Sequence, residues 1–177
     1  MEAMLLCSGE VGFRRVSVEQ VYKRYGGSRA HFYRHFPDKS DCFLAAYEWK
    51  ANQHADRAIS LLEGVGPVDR RLKGVLESLA DFATVDGTLA KAIVVEIHSV
   101  GRGGFPKRQF VIERFSRALD AACRGTAPQS PAPRLTAEFL VSAIDQALSN
   151  SILAGRPKDF RDAVPDLALL VCRAYVL

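Results

Sequence analysis

Apolar residues recur three and four positions apart along nearly the whole chain, and no run alternates in the β-branched pattern of a strand. That spacing predicts an all-α fold of about nine helices. A chain of 177 residues suits one compact domain, or a main body with a small head. Hydrophobic residues make up 48% and charged residues 25%, which excludes extensive disorder. No apolar run reaches the roughly 18 residues of a membrane span. The start, MEAMLLCSGE, lacks the basic region and cleavage pattern of a signal peptide, so a cytoplasmic location without membrane partners is expected. Cys7, Cys42, Cys123 and Cys172 form no CxxC pair and read as reduced core thiols.

Boundary residues divide the chain. Residues 3 to 8 begin a short helix closed by the Gly9 and Gly12 region. Ser17 with Gln20 three residues later makes a capping-box pattern for a second helix ending near Tyr25. Gly26 and Gly27 give a tight turn, Ser28 caps a third helix, and Pro37 ends it. Asp38 caps a fourth, reaching about Leu62, whose apolar positions Phe43, Tyr47, Ala51, His54, Ala58 and Leu61 form one stripe. A fifth runs from Val68 through Ala83, and a sixth spans Thr88 to Val100. Pro106 lies in the first turn of a seventh, with Val111, Phe115, Ala118, Leu119 and Ala122 inward. The segment RGTAPQSPAPR, 124 to 134, reads as a mobile connection. Thr136 caps an eighth helix ending near Gly155. A ninth extends from about Lys158 to Val176, with Val164, Leu167, Val171 and Ala174 on one stripe and Pro165 as a kink or a later start.

Charge is concentrated in the head. Between Gly12 and Phe36 stand Arg14, Arg15, Lys23, Arg24, Arg29 and Arg34 against Glu19 alone, whereas the whole chain carries only +4. Three short helices with a double-glycine turn between the second and third form a helix-turn-helix pattern, whose last helix enters the DNA major groove. On that helix Phe32 and Phe36 anchor inward, while Arg29, Ala30, His31 and Arg34 lie on the other side. There arginine can pair with guanine and alanine can touch a thymine methyl. Tyr33, His35 and Lys39 are placed to hold phosphates, and the helix starts at Ser17, Ser28 and Asp38 offer backbone N–H donors.

The segment SVEQVYKRYGGSRAHFYRHFPDKSDCFLAAYE resembles the DNA-binding segment of the tetracycline-repressor (TetR) family of bacterial transcription regulators. Ser17, Gly26, Ser28, Phe32, Tyr33, His35, Phe36, Lys39, Phe43 and Leu44 carry the resemblance. It implies a DNA-binding domain over residues 1–44 and a ligand-binding and dimerisation domain over 45–177. By the same resemblance, helices eight and nine pair with their copies in a homodimer. The operator is then double-stranded DNA with an imperfect palindrome. The implied function is a repressor responding to a small apolar or amphipathic effector. Two departures, a short first helix and Gly27 in place of a small aliphatic residue, predict a looser head. The alternative is a small-molecule-binding or interaction protein whose truncated head no longer binds DNA.

No catalytic set, cofactor motif or metal site is expected. His31 and His35 are four apart, but Arg29 and Arg34 beside them would repel a cation. No GxSxG elbow exists, and Gly101 to Gly104 lacks the strand and Lys-Ser/Thr of a phosphate loop. Candidate pocket residues among helices four to eight are Phe82, Ile97, His98, Phe115, Phe139, Asp145 and Asn150, which mix aromatic walls with isolated polar groups.

Overall fold

The computed structural model describes residues 1–176. Among these residues it contains nine α-helices and no strand. They are α1 (Glu2–Val11), α2 (Val18–Arg24), α3 (Arg29–His35), α4 (Lys39–Leu62), α5 (Val68–Val85), α6 (Gly87–Ala90), α7 (Gly104–Thr126), α8 (Thr136–Leu153) and α9 (Pro157–Tyr175). A short 3-10 helix, Phe13–Arg15, separates α1 from α2.

Two apolar cores stack along the long axis of α4. The upper one joins Met4, Leu5, Phe13, Val21, Phe32, Phe43 and Tyr47 to Ile93 and Ile97 from beyond α6. The lower one packs Leu72, Val75 and Leu76 of α5 against Val164, Val171 and Tyr175 of α9, with Leu119 of α7 and Leu148 of α8 closing it. The boundary between residues 44 and 45 lies within α4, whose backbone runs through it unbroken. Its buried stripe passes through Cys42, Phe43, Ala46, Tyr47, Ala51, Ala55, Ala58 and Leu62. Leu61, placed inward by the stepping rule, is exposed. The small residues Ala51, Ala55 and Ala58 let α7 and α5 approach closely enough that Leu62 faces the core.

Several boundaries differ from the sequence reading for physical reasons. Gly9 does not end α1 but lies buried inside it. A Cβ there would stand 1.9 Å from the Thr88 carbonyl oxygen, so the glycine allows the head to press onto α6. The sixth helix is three short pieces. After α6 the chain widens into a π turn over Lys91–Val95 and then tightens into a 3-10 helix over Glu96–Val100. Thr136 is the first residue of α8, and its hydroxyl makes no cap. The connection begins only at Ala127 and is tied down. Ser130 Oγ donates to the Tyr175 carbonyl at 2.8 Å, and Arg124 Nη2 donates to the Ala132 carbonyl at 3.2 Å. Pro165 lies inside α9, which begins at Pro157, a position where the missing N–H costs nothing. Among the described residues no helix is long and apolar enough to cross a membrane.

Candidate nucleic-acid interface

The geometry of the head is set by local caps. Ser17 Oγ accepts from the Gln20 N–H at 3.2 Å while the Ser17 N–H donates to Gln20 Oε1 at 2.8 Å, a closed capping box at the start of α2. Its end is a Schellman turn. Gly26, at φ 73°, donates to the Lys23 carbonyl and Gly27 to the Tyr22 carbonyl, so two of the helix's last acceptors are satisfied as the chain reverses. The Tyr25 ring lies where a Gly27 side chain would stand, 2.0 Å from the position of its Cβ. Gly27 thus leaves room for an aromatic lid on the turn, a contact the expectation of a looser head omitted. Ser28 Oγ then accepts from the His31 N–H at 3.2 Å and starts α3.

One side chain fixes α3. Phe32 is 2% exposed, with Tyr33 edge-on at 5.4 Å and Phe36 at 5.8 Å. Around it Arg29, Ala30, His31, Tyr33, Arg34 and His35 all face solvent. The Arg29 guanidinium lies over the Tyr33 ring at 5.6 Å, and the His31 and His35 rings are 4.9 Å apart. Lys23 pairs with Glu19 and Arg24 with Glu10, each at 2.7 Å. Among the described residues Arg14, Arg15, Arg29 and Arg34 have no acidic partner within 4.0 Å, so their charge remains available to an anion. No cluster of three metal-ligating side chains occurs among the described residues.

Lys39 has a different task from the phosphate contact expected of it. Its ammonium donates to the carbonyls of Phe13, Arg14 and Val16 at 3.0, 3.1 and 3.0 Å and sits 4.8 Å from the centre of the Phe13 ring. All three donors are spent on the 3-10 turn and the residue after it, so Lys39 clamps the head. Asp38 Oδ1 accepts from the Ser40 and Asp41 N–H groups, occupying the start of α4 as well. A second link joins head to body: the Phe13 N–H donates to Glu96 Oε2 at 2.8 Å.

The body holds a cavity of about 90 Å³ between α4, α5, α7, α8 and the π turn. Of the seven residues expected there, Phe82, Phe115 and Asp145 line it. Ile97 is buried in the upper core instead, on the 3-10 segment that packs against the start of α7. His98 and Asn150 face solvent, the latter accepting from Gln146 at 2.8 Å. Phe139 is 75% exposed on the outer face of α8. Arg108 and His54 are the polar lining residues the sequence reading left out. The signal for Arg108 was its place on the buried stripe of α7, three and four residues before Val111 and Ile112. Burial, and then the Lys50 charge, hold the His54 imidazole below its ordinary pKa.

A three-helix head with a capped, solvent-facing third helix defines the helix-turn-helix class. Residues 7–46 match the family model described as bacterial regulatory proteins, tetR family, so the resemblance carried by the head is shown. The fold of the whole chain is that of known regulators of this kind. FadR from Bacillus subtilis, solved in complex with stearoyl-CoA, is similar at TM-score 0.82 and 16% identity, covering 96% of this chain and 94% of that one. The fatty acid degradation regulator FadR from Bacillus halodurans gives 0.80 and 16%, with 96% and 90% covered. The TetR family transcriptional regulator PfmR from Thermus thermophilus gives 0.71 and 18%, with 96% and 97% covered. No curated protein matches the chain in sequence.

Proposed function

We propose that this protein is a ligand-responsive repressor that binds a palindromic operator as a homodimer, with residues 1–44 as the DNA-binding domain and 45–177 as the effector and dimerisation domain. The observation that carries it is the solvent face of α3. A single buried phenylalanine holds the helix, and Arg29, Ala30 and Arg34 are left free to meet base edges. Tyr33, His35 and the caps at Ser17 and Ser28 lie beside them for phosphates. The His31 ring meets those of Tyr25 and His35 at a tilt, with centres 5.9 and 4.9 Å away. Dimerisation through α8 and α9 is supported by the apolar groove that Leu135, Phe139 and Leu170 present to solvent, the last two 75% and 57% exposed.

The effector is a small, largely apolar molecule in the body cavity. Its walls include Ile93 and Val94 of the π turn, which leads directly to Glu96 and its bond to Phe13 in the head. A ligand that reshapes this wall moves the head through Glu96 and α4, and it switches the protein by favouring one of the two arrangements. The salt dependence of duplex binding tests the DNA reading. With about four phosphates held per head, log K should fall against log salt with a slope of roughly −7 for the dimer. Replacing Arg29 and Arg34 with alanine should weaken operator binding by at least tenfold, roughly one bidentate base contact. A flat salt response, or unchanged affinity in the double variant, would refute it.

A further inference from the structure

The cavity wall is apolar except for Arg108, Asp145 and His54. Arg108 is only 9% exposed and is ion-paired with Asp145. Its fully buried Nε–H nonetheless meets no acceptor among the described residues, and the buried Nε2 of His54 likewise lacks a partner. Phe82 covers the imidazole, ring centres 4.0 Å apart, and holds it in place. Interiors leave few polar atoms unpaired, and two on residues that line one otherwise greasy cavity describe a recognition point.

Charge balance decides what that point accepts. The Arg108–Asp145 pair is already neutral, so an incoming carboxylate or ammonium would leave one charge uncompensated in an apolar wall. An uncharged oxygen acceptor would satisfy the Arg108 Nε–H and leave the ion pair intact. We propose that the cavity takes a neutral hydrocarbon-rich molecule bearing a carbonyl oxygen, an ester or a ketone, which accepts from Arg108 while its chain lies along Leu76, Val111 and Phe115. This rests on the reading of the body as an effector domain.

Calorimetry on the purified protein tests it, using methyl esters of butanoic to decanoic acid, each beside the isomeric straight-chain carboxylate. At the best chain length the ester should bind at least tenfold more tightly, on the order of one uncompensated charge. Asp145→Asn removes the compensating charge and should move the preference toward the carboxylate by at least tenfold. Arg108→Lys keeps a charge opposite Asp145 but loses the Nε–H, and should weaken the ester by about tenfold. It serves as the independent variant if Asp145→Asn does not fold. A wild-type preference for the carboxylate, no binding of either probe, or folded variants with unaltered preference would overturn the assignment. Duplex binding measured on the same sample separates the two readings. DNA binding without ester binding sinks only the ligand class, whereas ester binding without DNA binding sinks the regulator.

Discussion

Lys39→Met should lower the unfolding free energy by about 3 kcal/mol and abolish DNA binding, although Lys39 need touch no phosphate. The ammonium satisfies three carbonyls of one turn, and each bond to a charged donor contributes about 1.5–3 kcal/mol before its neighbours relax. A methionine of similar length would keep the packing on Phe13 and leave those acceptors to find water. The head, held to the body by the Phe13 N–H bond to Glu96, would then lose its alignment. Urea unfolding checks the assignment: a lysine that only met phosphate would leave the midpoint unchanged when replaced.

Gly9→Ala should be destabilising by about 3 kcal/mol, against the sign that helix propensity alone would give. Within a helix, alanine is favoured over glycine by about 1 kcal/mol. Here the new methyl would stand 1.9 Å from the Thr88 oxygen and 2.8 Å from its carbonyl carbon, so one backbone must retreat from another. Overpacking should exceed the propensity gain, and α1 should lift from α6. Gly27→Ala is the control, because its new methyl meets only the ring of Tyr25, which is 40% exposed and can swing away. Thermal unfolding of both variants should show a clear drop for Gly9→Ala and little change for Gly27→Ala.

How much of this was legible in the sequence depended on the range of the interaction. The capping box at Ser17, the glycine turn and the caps at Ser28 and Asp38 are local, and the structure has each where the residues indicate. What escaped depends on partners far along the chain. Gly9 reads as a helix stop until Thr88 is seen above it, and Lys39 reads as a surface cation until the turn at residues 13 to 16 folds over it. The pocket was harder still. Phe139 is 75% exposed on the outer face of α8, and Ile97 lies in a 3-10 segment that follows a π turn, an irregularity no local spacing announces. Arg108 was left out of the candidate pocket, because burial of a charge follows from its partner, Asp145, on another helix.

The central claim, sequence-specific DNA binding by α3, is tested most directly by selecting genomic fragments from the source organism with the purified protein, beside an Arg29→Ala/Arg34→Ala variant. Recovery of a shared two-fold symmetric sequence, lost in the folded double variant, is the result expected of two recognition helices about one DNA turn apart. Fragments without a common sequence, or enrichment that survives the double substitution, would contradict the account and favour a ligand-binding protein whose head no longer reads DNA.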